Sequence, residues 1–262
     1  MADTESKKIN YHKRPEWSYS SMKKIIDSGI DYAVAGKLGM LPPPSNSFID
    51  LGQLAHMLLL GGEDTFVISE FPNFLSKASR EWRDAQLALG KNIITQEQFK
   101  SADQIVKNVE NHPHTPKYLL GEGFEYEQEM FAKTAEGVDL RGKGDSLNMT
   151  DKENIIITDL KTTAQFDKFK KSASWNHYDL QAAVYTLISA VFAGVDPKKV
   201  AYYFCVAETV APFRVQYYHA TPEFLEAGER KLRMCIDAIT SFGKRDPNFL
   251  IEEIGELGDW SL

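Results

Sequence analysis

Two aspartates and a lysine near the middle of the sequence have the types and the spacing needed for metal-assisted chemistry on phosphate esters. Asp145 follows Gly144, and one residue separates Asp159 from Lys161. Residues two apart on a β-strand point to the same face of a sheet, so Asp159 and Lys161 project together. Carboxylates bind hard divalent cations through oxygen, and a lysine beside them can orient or deprotonate a water molecule and stabilise charge on phosphate. This equipment is suited to phosphodiester hydrolysis.

The sequence around these residues favours a site over a surface ion pair. Residues 155–157 are Ile-Ile-Ile, which predicts a buried strand that ends in charged residues. Downstream, Gln181 and Tyr185 are four apart, so they share one face of an apolar predicted helix, where a buried amide and phenol need partners. Upstream, His56 lies on another predicted helix, where a lone histidine is more often structural than a ligand.

The elements that would position these side chains follow from hydrophobic periodicity and turn residues. A short helix capped by Ser18 comes first. Further helices are predicted at 47–60, 78–89 and 95–111, then strands at 124–134, 138–149 and 154–160, a helix at 177–193, strands at 200–206 and 213–218, and a last helix at 221–242. This order predicts an α/β fold with a central mixed sheet flanked by helices.

Composition limits the class of protein. The 262 residues are 43% apolar and 26% charged, which suits a single globular domain. No apolar run reaches the roughly 18 residues of a membrane span, and the N-terminus is polar, so we expect a cytoplasmic protein that does not bind a membrane. Two cysteines cannot supply four thiolates, so no iron–sulfur cluster is expected. A net charge of -7 argues against a protein coated in positive charge, but it leaves room for a local basic lining.

Several motifs, in chain order, resemble those of the RecE-type (exonuclease VIII-like) exonucleases of phages and prophages, within the PD-(D/E)XK nuclease superfamily. The segments that carry the resemblance are Tyr19-Ser-Ser-Met, Gly52-Gln-Leu-Ala-His56, Glu127-Gln-Glu-Met-Phe131, Arg141-Gly-Lys-Gly-Asp145, Thr158-Asp-Leu-Lys161 and Tyr178-x-x-Gln181-Ala-Ala-Val-Tyr185. The resemblance implies a restriction-endonuclease-like core. We place that catalytic core at 47–220 of a single domain at 1–262, with a flexible arm at 1–16, a C-terminal helix at 221–245 and an acidic tail at 246–262.

The resemblance also implies a role for each matching residue. The implied metal ligands are His56, Asp145, Asp159 and the Leu160 carbonyl, and the implied catalytic residues are Lys161, Glu127, Gln181 and Tyr185. The implied metal is Mg²⁺, for which Mn²⁺ would substitute. Glu125, Glu127 and Glu129 alternate along one predicted strand, so the residues alone leave open which of them faces the metal. Glu127 is preferred because Phe131 follows it by four residues.

The activity implied by the resemblance is that of a magnesium-dependent 5′-to-3′ exodeoxyribonuclease. It would degrade linear double-stranded DNA in a bacterial host cell and leave 3′ single strands for recombination. The implied partners are linear duplex DNA, a single-strand annealing recombinase, and further copies of the chain in a ring-shaped homotrimer or homotetramer. Two alternatives remain: another PD-(D/E)XK repair nuclease, RecB- or Cas4-like, and a catalytically silent DNA-binding relative.

Basic residues outside the proposed centre are candidate DNA contacts, since lysine and arginine neutralise backbone phosphates. The candidates are Lys168, Lys170, Lys171, Arg80 and Arg83. The alternative for the lysines is a solvated face, and for the arginines it is simple packing of the neighbouring Trp82.

Overall fold

The computed structural model describes Tyr11 and residues 14–41, 50–61 and 66–243. Within these ranges the elements, in chain order, are α1 (Tyr19–Ser28), α2 (Ile30–Lys37), α3 (Leu51–Leu60), β1 (Phe66–Ile68), α4 (Lys77–Ala88), β2 (Asn92–Ile94), α5 (Gln96–Glu110), α6 (Thr115–Tyr118), β3 (Phe124–Lys133), β4 (Asp139–Asn148), β5 (Ile155–Thr163), α7 (Phe169–Trp175), α8 (Tyr178–Ala193), β6 (Val200–Glu208), β7 (Val215–His219) and α9 (Pro222–Phe242).

The main sheet has five strands in the order β3-β4-β5-β6-β7. The neighbours β5 and β6 are parallel, and the other neighbouring pairs are antiparallel. Parallel neighbours need a crossover connection, which α7 and α8 provide between β5 and β6. β1 and β2 form a separate parallel pair. The predicted α/β fold with a mixed sheet and flanking helices is therefore confirmed.

Each face of the sheet is covered by its own apolar layer. Ile155 and Ile157 pack into a cluster with residues of α1, α8 and α9, whereas Leu160 packs into a second cluster with residues of α3 and α5. The alternation along β5 explains the division, because successive side chains of a strand point to opposite faces. As a result, helices approach the end of β5 from both sides.

The segment before α1 is tied to the edge of the sheet. The N–H of Trp17 donates to Asp139 O at 2.8 Å, and the N–H of Arg141 donates to Trp17 O at 2.9 Å. Ser18 then caps α1 in a reciprocal capping box with Ser21, as predicted. Met22 on α1 is fully buried. These bonds hold the start of α1 beside β4, close to the residues that follow on that strand.

Some boundaries differ from the prediction, and several short elements were not predicted. α3 begins at Leu51 because the Asp50 side chain caps it, and the predicted start at 47 lies outside the described residues. α7 was not predicted, since the lysines around it were interpreted only as a solvated face or as DNA contacts, yet Phe169 and Ala173 are buried one turn apart. β7 begins at Val215, two residues later than predicted. Most of the predicted arm and all of the predicted acidic tail lie outside the described residues.

None of the helices in the described ranges is both long enough and apolar enough to cross a bilayer.

Candidate active site

The site forms where β4 and β5 separate. The two strands pair only through residues 146–148 of β4 and 156–158 of β5. Beyond these pairs, the backbone N–H of Leu160 donates to Asp145 Oδ2 at 2.8 Å. The Asp145 carboxylate therefore takes the place of a backbone acceptor. Without it, the buried N–H of Leu160 would lack a hydrogen-bond partner. This bond fixes Asp145 at the mouth of the gap between the strands.

Glu127 is held in an unusual backbone conformation opposite Asp145. β3 and β4 pair on both sides of Glu127 but not at it, and its φ is 54°. A left-handed φ on a residue other than glycine costs on the order of 1–3 kcal/mol, and such strain clusters at functional sites. Here the conformation brings Glu127 Oε1 to 3.4 Å from His56 Nε2. Among Glu125, Glu127 and Glu129, it is thus Glu127 that reaches His56.

Three side chains converge closely enough to hold a metal ion. His56 Nε2 on α3 lies 3.3 Å from Asp145 Oδ1, and one ligand atom from each of His56, Glu127 and Asp145 lies within 4.8 Å of the others. One imidazole and two carboxylates are donors that divalent ions accept in proteins. The residues therefore fit a divalent metal, which they would hold between α3, β3 and β4.

Asp159 lies beside this group, and both of its oxygens have partners. Asp159 is 6% exposed, and its Oδ2 lies 2.7 Å from Lys161 Nζ. Its Oδ1 accepts from Gln181 Nε2 on α8. The Lys161 ammonium also lies 4.8 Å above the ring of Tyr178. The predicted catalytic lysine is thus fixed by a carboxylate and an aromatic face, and Gln181 positions that carboxylate.

His56 and Asp145 stabilise each other's charged forms. Burial acts to raise the pKa of Asp145, but the hydrogen bond and charge of His56 outweigh it and hold that pKa below its usual value. Burial likewise acts to lower the pKa of His56, and the hydrogen bond to Asp145 outweighs it, so that pKa is raised. His56 would have to release its proton in order to bind a metal through Nε2.

Lys161 and Asp159 form a second coupled pair. Burial raises the pKa of Asp159 to about 6, against the opposing charge of Lys161. Burial acts to lower the pKa of Lys161, but the charges of Asp159 and Asp145 outweigh it and hold that pKa above its usual value. Lys161 therefore keeps its proton at neutral pH. In this state it can orient a water molecule and stabilise negative charge, but it cannot accept a proton.

The raised pKa of Asp159 predicts a pH-dependent effect of Asp159→Asn on the metal-free protein. The folded pKa lies above the unfolded one, so ionisation of Asp159 destabilises the fold, starting near pH 4 and fully above about pH 6. Asparagine removes that cost, so the change in the free energy of unfolding should be more favourable at pH 8 than at pH 5, by about 1 kcal/mol, because part of the cost is already present at pH 5. Urea unfolding in EDTA measures both values. The exposed Asp103→Asn should show no such difference, and an equal effect of Asp159→Asn at the two pH values would contradict the assignment.

These charged residues line a cavity of about 710 Å³. Beside the predicted residues, its walls include Lys143, Arg141, Tyr178 and Ser20. Lys143 Nζ forms an ion pair with Glu127 Oε2, so it stabilises the strained glutamate. No role was predicted for Lys143 or Tyr178. Position could have indicated both, since Lys143 precedes Asp145 by two residues on one strand, and Tyr178 precedes Gln181 by one helical turn.

Comparison with known sequences assigns the chain to a family. Residues 18–247 match the family described as "PDDEXK-like domain of unknown function (DUF3799)". The chain belongs to this family. The match includes every residue of the centre from His56 to Tyr185, so the paired carboxylates and the lysine of this DUF3799 domain lie in a PD-(D/E)XK-like setting. No curated protein sequence matches the chain.

A solved structure shows the same fold. The crystal structure of a "Putative exonuclease" from Eubacterium rectale superposes with a TM-score of 0.63, at 16% identity, and the alignment covers 94% of this chain and 88% of that one. At this identity the likeness shows a shared fold alone. A second structure, that of SSO0001, gives a TM-score of 0.29 at 12% identity over 82% of this chain and 84% of that one, and carries no argument.

The basic residues predicted to contact DNA do not line the cavity of the DUF3799 domain. Lys168, Lys170 and Lys171 are exposed at the start of α7 and just before it, and Lys170 Nζ lies 5.6 Å from the ring of Tyr218. The two arginines are engaged within and just before α4, where Arg80 donates to Leu75 O and Arg83 pairs with Asp84. Trp82 stacks on Phe74, as the packing alternative proposed. The five basic residues remain predicted DNA contacts.

Gly52 allows α3 of the DUF3799 domain to approach β5 closely. A Cβ at Gly52 would overlap Thr162 Oγ1. Gly52→Ala should therefore push α3 outward and displace His56, which lies one turn further along the helix. A misplacement of about 1 Å can slow an enzymatic reaction about 10²-fold. We therefore expect Gly52→Ala to lower nuclease activity 10- to 100-fold. Thr162→Ala removes the overlapping atom and should restore much of it. Unchanged initial rates in Gly52→Ala would show that α3 does not set the position of His56.

Proposed function

We propose that this PD-(D/E)XK-like domain is a metal-dependent deoxyribonuclease. The observation that carries the proposal is the meeting of His56, Glu127 and Asp145 around a space of ion size, with the Asp159–Lys161 pair beside them, at the floor of an open cavity. A purely structural set of ion pairs would not require a glutamate in left-handed backbone geometry. The strain at Glu127 is therefore further support for a functional centre.

In the proposed mechanism, a bound divalent ion would polarise a phosphoryl oxygen and activate a water molecule. Asp145 and Glu127 bring negative charge to that position, and Lys143 keeps Glu127 in place. Lys161 carries a positive charge, and it would orient the water and stabilise the charge that develops on the phosphate. Gln181 donates to Asp159 and so holds the carboxylate that positions Lys161.

The finer proposal is a RecE-type, magnesium-dependent 5′-to-3′ exonuclease that acts on linear double-stranded DNA in the bacterial cytoplasm and leaves 3′ single strands for an annealing recombinase. Its support is the order of the motifs in the sequence. Mn²⁺ is expected to replace Mg²⁺, because carboxylate oxygens suit both ions.

A time course on end-labelled duplexes tests the proposal. Linear duplex should be degraded with Mg²⁺ or Mn²⁺ and remain intact in EDTA. A label at the 5′ end should be released before a label at the 3′ end, and a closed circle should persist. Cleavage of the circle would favour another PD-(D/E)XK repair nuclease. Binding without cleavage in either ion would favour a silent relative and overturn the proposal.

We further propose a ring-shaped homotrimer or homotetramer. With a net charge of -7, strong adhesion of an open face to a polyanion is unfavourable, whereas a closed ring retains DNA by enclosure, and cyclic symmetry leaves no unpaired interface. Light scattering should give three or four times the 29.6 kDa chain mass. A monomer that still degrades long duplex processively would refute the ring.

The lysines around α7 provide a separate test of the DNA path. Charge reversal of Lys168, Lys170 and Lys171 to glutamate should weaken binding to duplex. Fewer counterions are then released, so the slope of log affinity against log salt should fall by about 2–3. A matched triple reversal of the exposed Lys100, Lys107 and Lys198 should leave the slope near the parent value. If the slope of log affinity against log salt is equal in the two triple variants, the DNA does not contact the lysines around α7.

A further inference from the structure

The junction between α7 and α8 holds a histidine in a strained backbone conformation. His177 immediately precedes α8, with a φ of 54° and a ψ of 41°. Histidine adopts this left-handed region more often than most residues other than glycine, but the conformation is still costly. The side chain makes no capping hydrogen bond to the first turn of α8, and it does not line the active-site cavity. Helix capping therefore does not explain why the ring is placed here.

Both ring nitrogens of His177 bind charged groups from neighbouring helices. Nε2 lies 3.1 Å from Asp27 Oδ1 on α1, and Nδ1 lies 2.9 Å from Lys231 Nζ on α9. An ammonium group can only donate, so Nδ1 must be the acceptor, and Nε2 carries the proton that is donated to Asp27. The ring is therefore neutral in this arrangement, and it links α1 to α9 across the start of α8.

Lys231 extends these contacts into α8 itself. Its Nζ donates to Asp179 Oδ1 at 2.8 Å, and the same oxygen accepts from the N–H of Leu180 at 2.9 Å. Asp179 is buried, so its charge would be costly without this partner. On α1, Lys23 pairs with Asp27 at 2.8 Å. We call the group that joins the three helices the His177 network, and it consists of Lys23, Asp27, His177, Asp179 and Lys231.

The first turn of α8, which the His177 network holds, carries two side chains that contact the Asp159–Lys161 pair. Tyr178 follows His177 directly, and its ring lies 4.8 Å from Lys161 Nζ. Gln181 lies one turn later, where its backbone N–H donates to His177 O at 3.1 Å and its side chain donates to Asp159. A displacement of His177 would therefore move the partners of both members of the pair.

We infer that the imidazole of His177 is a positioning group for the proposed reaction. It holds the first turn of α8 so that Tyr178 and Gln181 keep Lys161 and Asp159 in place. This inference rests on the proposed nuclease function. Lys161 acts on the attacking water and on the charge that develops in the transition state. Loss of the ring should therefore lower kcat more than it raises KM.

The test begins with His177→Gly, which removes the ring and permits the left-handed backbone conformation without strain. With linear duplex and Mg²⁺, we expect kcat to fall about tenfold and KM to stay within about twofold of the parent. His219→Gly is the matched control, since His219 is exposed at the end of β7 and contacts the ring of Tyr203 instead. Its kcat should remain within about twofold of the parent. An unchanged kcat in His177→Gly would overturn the inference.

Two rescue experiments separate positioning from a general loss of stability. Asparagine tolerates the left-handed φ, and its Oδ1 is as many bonds from the backbone as Nδ1 of histidine, so it can accept from Lys231. The kcat of His177→Asn should therefore remain within about threefold of the parent. Added imidazole should restore much of the kcat of His177→Gly, because it can occupy the space between Asp27 and Lys231, and it should leave His219→Gly unchanged. If neither asparagine nor imidazole restores kcat, the ring does not position the pair.

Amide hydrogen exchange in EDTA separates this inference from the proposed function. Exchange at residues 178–182 should be about tenfold faster in His177→Gly than in His219→Gly, and imidazole should slow it again. If the parent cleaves no DNA but this pattern is found, the proposed function fails, while the positioning of α8 by the ring stands. If DNA is cleaved and neither exchange nor kcat changes in His177→Gly, the positioning fails and the function stands. Faster exchange with an unchanged kcat would also contradict the inference, since α8 would then be held without any effect on Lys161.

Discussion

Asp145→Asn is expected to reduce nuclease activity by about 10³-fold or more. The substitution keeps the shape of the side chain and an oxygen that can accept from Leu160 N–H. It removes one of the two carboxylate charges from the group formed with His56 and Glu127, and electrostatic stabilisation of this kind contributes several kcal/mol to the transition state. Initial rates on linear duplex with Mg²⁺ measure the loss.

Asp139→Asn is the matched control for this prediction. Asp139 is on the same strand, exposed, and paired with Lys133, so activity should remain within about twofold of the parent. A second readout is the melting temperature. Mg²⁺ or Mn²⁺ should raise it for the parent and for Asp139→Asn, but much less for Asp145→Asn, since the stabilisation follows the affinity for the folded state. Full activity in Asp145→Asn would show that the Asp145 carboxylate is not needed for metal binding or catalysis.

Among the glycines that the structure describes, Gly228 is where an added methyl group should cause the largest loss of stability. A Cβ at Gly228 on α9 would overlap the carbonyl oxygen of Asp179 and would lie 2.9 Å from the Ala183 Cβ on α8. Alanine favours a helix by up to about 1 kcal/mol over glycine. Overpacking against a backbone atom costs about 1–3 kcal/mol or more, so we expect a net loss of about 2 kcal/mol in the free energy of unfolding.

Gly243→Ala provides the contrast in the same helix. Gly243 is the C-cap of α9 with a φ of -61°, and the nearest atom to an added Cβ would be 3.5 Å away. Alanine there should be neutral or slightly stabilising, because it reduces the entropy of the unfolded chain. Urea unfolding compares the two variants. Equal stabilities would show that α8 and α9 can separate at little cost.

The strands that carry the centre could be predicted from the sequence because their signal is local. The apolar run at 155–157 and the charged residues after it indicate a buried strand that ends in a site, and the structure places Asp159 and Lys161 on one side of β5. The helix with Gln181 was also predicted from a local signal, because its apolar run is too long for a strand, suits a buried helix and is stopped by Gly194. Helical spacing also identified the helix that carries His56.

Features that depend on tertiary packing could not be predicted in this way. Glu127 has a left-handed φ, which glutamate rarely adopts. The sequence therefore contains no glycine or asparagine at this position that would indicate it. The separation of β4 from β5 depends on Asp145 accepting from a residue 15 positions later. α2 begins at Ile30 after Gly29, which offers no side-chain cap, and its short apolar pattern did not indicate a helix.

The position of α1 has a consequence for how the chain folds during synthesis. Met22 O accepts from Cys235 Sγ at 3.6 Å across a sequence separation of 213 residues, and Tyr19 OH donates to Asn176 O at 2.5 Å. At about 5–20 residues per second, a ribosome needs roughly 10 to 40 s to make that interval. During this time the buried face of α1 lacks its native contacts with α9, and it is available to a holding chaperone. Ser18 and Ser20 line the active-site cavity, so the part of its wall that they form is made early in synthesis but is placed only when later residues have been made.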